Sequence, residues 1–412
     1  MLIHNPKASH CDYPDSLKGI LNIDAANESR GWLMQWSRLI RRTTPLWQLP
    51  ALASRLGVAQ LAVKDESFRS ELGSFKVLGA PVALIRLLSR LNPALDPVSL
   101  LRGDHRRQLG GVTVISASDG NHGRALAAAA QAVGCACVIV LHARVSQERE
   151  AAIASYGARI VRVSGNYDES VAEAARLATE HGWYVVSDTS YDGYEEIPRD
   201  VMQGYGIIAA ELIEQLAAQQ AKPFTHVLLQ GGVGGMAAGV ASYVWEYYGS
   251  KRPRFIVVEP AQADCLFQSA LLGRPARATG SVDSVMAGLA CGETSPLAWR
   301  VLEQAIDDFV TVQDGDAVRA MQTLAAGSPA DVPIVAGESG AAGLAGIMVL
   351  AENHALFSAA GLNSQSRVLV INTEGATAPG VYAELLGETA DCVARRQTSW
   401  LMASSTSFRD AL

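Results

Sequence analysis

The chain lacks most of what would mark a membrane or secreted protein. No run of about twenty apolar residues occurs, the length a bilayer span requires. The most apolar stretch, Ala125 to Leu141, is interrupted by Gln131 and Gly134 and reads as a helix followed by a buried strand. Met1 to Ser16 has no apolar core of the kind a secretory signal carries, so none is expected. The six cysteines form no C-x-x-C pair and no zinc pattern. They are expected to be reduced thiols in the cytoplasm. Cys135 and Cys137 alternate along one strand and read as core. Basic residues are outnumbered, 34 Lys and Arg against 41 Asp and Glu, and they form neither stripe nor cluster. Nucleic acid and membrane surfaces are therefore not expected partners.

What is present is a large core and many loops. The 412 residues are 49% hydrophobic and include 37 glycines. That length corresponds to roughly two or three ordinary domains. Residues 1 to 43 read as irregular, and 92 to 108 as a polar connection. From Val112 onward, short apolar strands alternate with helices as far as Glu259. The strands fall at Val112–Ile115, Cys135–Leu141, Ile160–Val163, Val185–Asp188, His226–Gln230 and Phe255–Glu259; another lies at Val368–Ile371. This pattern predicts an α/β fold of two doubly wound domains with mostly parallel sheets. Divisions near Gly79 and Pro198 predict a smaller domain, 79–198, inserted in a larger one built from 1–78 and 199–412.

Ligands bind such sheets at the carboxyl ends of strands, and several stretches carry suitable chemistry. Lys76 lies among Phe75, Val77, Leu78, Gly79 and Ala80. Burial would disfavour its ammonium and expose a nucleophilic amine able to form Schiff bases. The same residue could instead pack its stem and send its head to water. The run Ser118-Asp119-Gly120-Asn121-His122-Gly123 follows a strand and opens a helix, as an anion site does. Capping by Ser118 or Asp119 explains one residue of it. Asp119 puts a negative charge in that loop, which suits a ligand that also carries a cation. His122 alone reads as structural. The loop Gly231-Gly232-Val233-Gly234-Gly235-Met236 can cradle a phosphate. Its spacing through Ala237, with Glu259 ending the next strand, also fits a dinucleotide fingerprint, so a nicotinamide enzyme competes on this loop alone. Thr373 and Glu338 stand at two further loops beside glycines, and Asp188 closes a strand. Each is also compatible with ordinary turn chemistry.

Taken together, Ser74-Phe75-Lys76, Ser118-x-Gly120-Asn121-His122 and the glycine loop resemble the fold-type II pyridoxal phosphate enzymes, in the same order along the chain. Val63-Lys64-Asp65-Glu66-Ser67, Asp188-Thr189, Met202-Gln203-Gly204-Tyr205, Met286 to Glu293, Gly337-Glu338-Ser339-Gly340 and Thr373-Glu374-Gly375 resemble its diaminopropionate ammonia-lyase branch. The resemblance covers nearly all of residues 40 to 385. It implies pyridoxal 5′-phosphate as cofactor, no metal, a small amino-acid substrate and a homodimer. It further implies Lys76 as the Schiff-base lysine, and Phe75, Val233, Met236, Glu338 and the 231–235 loop against the cofactor. Asn121 would meet the ring oxygen, Thr373 the pyridine nitrogen, and Ser118 to His122 the substrate carboxylate. Asp119 and Asp188 would be the acids that select a β-ammonium and remove the Cα proton. Two features depart from related patterns. Leu78 stands where many dehydratases have arginine, as in this branch. Ala376 replaces the acid usual after Thr-Glu-Gly, so no carboxylate role carries over there. The competing activities are a serine or threonine ammonia-lyase and a nonenzymatic cofactor-binding protein. Whether Cys265 and Cys291 pair is left open.

Overall fold

The computed structural model describes residues 1–118, 120–143, 145–165 and 167–409, without the side chains of 168 and 405–409. Its strands are β1 (Leu2–His4), β2 (Leu46–Gln48), β3 (Gln60–Asp65), β4 (Thr113–Ala117), β5 (Ala136–Leu141), β6 (Arg159–Arg162), β7 (Tyr184–Val185), β8 (His226–Gln230), β9 (Arg254–Pro260), β10 (Asp308–Val312) and β11 (Arg367–Asn372). They form two sheets, ordered β1-β10-β9-β8-β11-β3-β2 and β6-β5-β4-β7. All pairings are parallel except β1 with β10 and β2 with β3, at the two edges of the larger sheet.

Period-two alternation divides each strand between two cores. On the larger sheet Val227, Leu229, Phe255, Val257, Leu369 and Ile371 enter one core. Leu228, Ile256, Val258, Val368 and Val370 enter the other. Both faces are covered, which explains why β8 reads as a continuous apolar run with every residue buried. The smaller sheet does the same. Ile115, Ala117, Val138 and Val140 build a small core of their own. Val114, Cys137, Ile139 and Leu141 join the main one, as does the buried Cys135.

The helix Glu196–Ala218 anchors the site. It packs against the helix Gly235–Tyr248 through glycine: a Cβ on Gly239 would strike Met202 O, and one on Gly204 would overlap Leu78 O. The backbone carrying Lys76 and the helix behind the glycine loop are thus seated on one rod at direct backbone contact.

Several expectations are corrected. Residues 1–43 are not irregular: they supply β1 and the helices Asp15–Lys18 and Ile23–Leu33, with Trp36 fully buried. Segment 92–108 holds two short helices and buries Leu95, Leu100 and Leu101. The strand expected at Val185–Asp188 is only Tyr184–Val185, so Asp188 lies on the loop beyond it. The long helix starts at Glu196 rather than Asp200, with Pro198 in its first turn, where the missing N–H costs nothing. The strands β1, β2 and β10 are additional.

Candidate active site

Loops from both sheets close on one cavity of about 1230 Å³, its open mouth included. Of the sequence-predicted residues, Phe75, Lys76, Ser118, Gly120, Asn121, His122, Asp188, Gly231, Gly232, Val233, Gly235, Met236 and Thr373 line it. Gly234 and Glu338 do not. Asp119 lies outside the described residues.

Lys76 sits in a single 3₁₀ turn, Phe75–Leu78, that ends at Gly79. Ser74 caps the turn, its hydroxyl accepting the Lys76 N–H at 3.3 Å. Phe75 N–H donates to Thr373 O at 3.0 Å, which ties the turn to the loop after β11. The Lys76 ammonium donates to Asp188 Oδ2, with the Phe75 and Tyr205 rings 5.3 and 5.9 Å away. Burial pulls the amine's pKa down, but the Asp188 carboxylate more than offsets it and holds the ammonium above its ordinary range. The expectation of a neutral lysine drawn from apolar neighbours is therefore corrected. Burial acts on Asp188 in the opposite sense, and the Lys76 ammonium still holds its carboxyl well below the usual range.

The loop after β4 is organised by Ser118, whose hydroxyl accepts the N–H of Gly123 at 2.9 Å and of Gly120 at 3.3 Å. Gly123 packs tightly there, because a Cβ would press on Ser118 Cβ at 3.0 Å and Ile139 Cγ2 at 3.1 Å. Asn121 donates its amide to Glu374. His122 is 4% exposed and points Nε2 at Val186 O, 2.9 Å away.

After β8 the chain turns through Gly232 (φ +66°) and Gly234 (φ +98°) into the helix at Gly235. Both angles lie in the left-handed region that glycine permits. A Cβ on Gly231 would collide with Glu259, and one on Gly234 with Leu302. The first N–H groups of a helix have no intrahelical partner, and Gly235 and Met236, which open this one, line the cavity. Glu259 takes no part in that wall. It is fully buried and accepts the N–H groups of Leu266 at 2.9 Å and Phe267 at 2.7 Å, capping the helix Cys265–Leu272. Burial pushes its carboxyl up to about 8. An acid committed to a helix cap cannot also bind a ribose, so the nicotinamide reading loses its second element.

Glu338 stands behind the wall, accepting from Arg149 Nη2 at 3.0 Å. Burial, with Glu374 nearby, pushes it up to about 7. Arg149, Glu374, Tyr205, Arg124 and Tyr167 line the cavity without having been singled out as site residues. Glu374 was visible in Thr373-Glu374-Gly375, and Tyr205 in Met202-Gln203-Gly204-Tyr205. Arg149 and Tyr167 stand at the starts of surface-like helices, with no local signal. None of the six cysteines is in a disulfide, Cys265 and Cys291 included. Among the described residues no group of three or more His, Cys, Asp or Glu is placed to hold a metal.

These features fit a phosphorylated aldehyde. The glycine turn is closed to side chains at Gly231 and Gly234, a primary amine faces the cavity, and the buried amide oxygen of Gln230 has no partner. Residues 38–374 match the model of the pyridoxal-phosphate dependent enzymes. The chain is 40% identical to the diaminopropionate ammonia-lyase of Escherichia coli over 86% of its own length and 89% of the relative's. It is 37% identical to that of Salmonella typhimurium over 83% and 87%. The crystal structure of the Escherichia coli enzyme in complex with an aminoacrylate-PLP azomethine reaction intermediate superposes with a TM-score of 0.84. It covers 94% of this chain and 96% of that one, at 36% identity. With its sheets, its glycine turn and its cavity lysine in this order, the chain belongs to the pyridoxal-phosphate dependent enzyme family, on the branch of the diaminopropionate ammonia-lyases.

Proposed function

We propose that the protein is a pyridoxal phosphate-dependent carbon–nitrogen lyase that eliminates the β-amino group of D- and L-2,3-diaminopropionate, giving pyruvate and two ammonia. The observation that carries this reading is the Lys76 amine facing Asp188 in the same cavity as the glycine turn. Gly231 to Met236 would hold the cofactor's phosphate, Lys76 its aldehyde carbon, and Phe75, Asn121 and Thr373 its ring. When bound, the cofactor supplies an electron sink for the pair left at Cα. The protein's own groups do the rest. The Ser118–His122 loop orients the substrate carboxylate. Asp119 and Asp188 each accept a Cα proton, one per enantiomer, with Asp119 assigned to D and Asp188 to L. Their charge also favours a β-ammonium over the hydroxyl of serine.

The cofactor body is assigned to 1–78 and 199–412 and the inserted one to 79–198. The strands of the smaller sheet, which all fall between 113 and 185, support this. We place the enzyme in the cytoplasm, as cysteines free of disulfides favour, and as a homodimer. The exposed Leu271 and Leu272 favour a subunit contact. The test is to count products. Two ammonia per pyruvate from each diaminopropionate enantiomer, at kcat/KM well above that for serine and threonine, is expected. Faster turnover of either hydroxy amino acid sinks the reading.

A further inference from the structure

The chemistry assigned to Asp188 leaves one buried group unexplained. His122 Nδ1 has no hydrogen-bond partner, although the residue is 4% exposed. The other ring nitrogen fixes the tautomer. Nε2 lies 2.9 Å from the carbonyl oxygen of Val186, which can only accept, so Nε2 carries the hydrogen. Nδ1 is then a bare lone pair. The ionisable groups that face the ring are Asp188 and Lys76. Asp188 Oδ2 is 3.8 Å from Nδ1, and this same oxygen accepts from Lys76. Burial keeps the imidazole below its ordinary range and so neutral. Its place at the start of the helix Asn121–Val133 acts in the same sense.

A lone pair facing a carboxylate gains nothing while that carboxylate is charged. It gains a hydrogen bond when the carboxylate is protonated. We propose that His122 is a positioning residue for Asp188: Nδ1 accepts the hydrogen that Asp188 carries once it has taken the Cα proton. The inference rests on Asp188 acting as the base. In that step the Cα–H bond breaks, its electron pair stays on Cα, and an O–H bond forms on Asp188, directed at Nδ1. Loss of the β-amine then uses the Cα pair to form the carbon–carbon double bond. The departing ammonia takes the proton from Asp188 and leaves as ammonium. A bond made only to the protonated acid raises its proton affinity when that affinity is needed.

Two measurements test this. In holoenzyme labelled with ¹⁵N in its histidine rings, the His122 Nδ1 resonance of the wild type is that of a bare nitrogen. In Asp188→Asn the carboxamide N–H stands where the acid's O–H would be, and the resonance moves upfield. The second is kinetic, on both enantiomers. Glutamine at 122 reaches the Nε2 position and keeps Val186 engaged, but withdraws the acceptor from Asp188. His122→Gln lowers kcat for the L-enantiomer about tenfold, the worth of one hydrogen bond, and moves the acidic limb of kcat/KM to lower pH. His122→Asn, whose carbonyl falls near the Nδ1 position, restores kcat to within about threefold. An unmoved resonance, or equal losses for both enantiomers in His122→Gln, overturns the proposal while Asp188→Asn still slows one enantiomer. If Asp188→Asn slows neither, the assignment of the base falls and this inference with it.

Discussion

Two lysines twelve residues apart are both withdrawn from water, and they behave in opposite ways. Lys64 lies on β3 with its side chain fully buried, and bonds Thr44 O at 2.9 Å, Gln215 Oε1 at 2.8 Å and Glu211 Oε2 at 3.3 Å. Arg69, Glu66 and Glu211 complete a closed network around it. All three ammonium hydrogens are used, and none faces a cavity. Lys76 has one carboxylate partner, two aromatic rings and an 18% exposed side chain opening on the cavity. Burial leaves the Lys64 amine below its ordinary range, while Asp188 leaves that of Lys76 above. Titration alone would therefore nominate the wrong lysine. What separates a structural amine from a reactive one is spare hydrogen-bonding capacity beside an open volume.

Removing each amine in turn separates the two roles. Lys76→Ala abolishes turnover, a loss of roughly 10⁴-fold or more, and abolishes cofactor trapping by borohydride. Pyruvate formation and the mass of the reduced protein measure both. The comparison breaks if Lys64→Met does the same. That variant instead loses about 3–5 kcal/mol of stability in urea, because Glu211 is left buried without one of its cations. Its activity per folded molecule is retained.

Glu259 sharpens the comparison from the acid side, as a buried charge-forming group with no counter-ion. It is neutral in the fold up to about pH 8. The unfolded chain releases that proton near 4.5, so between these values the unfolded state binds fewer protons and stability falls as pH rises. Glu259→Gln flattens that slope by on the order of a few kcal/mol, read from urea midpoints at pH 5 and pH 8. The smallest effect is Gln215→Leu, which takes one of three acceptors from Lys64 and costs about 1 kcal/mol. A loss as large as that of Lys64→Met would mean the network fails as a unit.

The sequence made some of this plain and hid the rest for identifiable reasons. Ser118 to His122 and Gly231 to Gly235 could be read because each is a short polar or glycine run between an apolar strand and a helix. Lys76 could be read only together with them, since Lys64 too follows apolar residues, Ala62 and Val63, and is a structural amine. Tyr205 was not singled out because it sits inside a long helix, where an aromatic ring reads as core. Arg149 and Glu338 pair only when the helix Gln147–Ala154 is laid beside the loop that leads into the helix Ala342–Ala351. The strands β1 and β2 escaped because three residues carry too little alternation to count, and Asp188 was read as the end of a strand that stops three residues before it.

The strand order also sets a timetable for synthesis. The smaller sheet draws its four strands from residues 113 to 185, one uninterrupted stretch that leaves the ribosome together. The larger sheet cannot close so soon. Its first strand waits for β10, some three hundred residues downstream, and β3 is joined to β8 only by β11, which ends at Asn372. At about 5–20 residues per second the inserted unit has many seconds as a finished body while β3 and β8 still have exposed edges. The unit made in the middle of the chain is thus the first one able to pair all its strands, and the chaperone burden falls on the strands on either side of it.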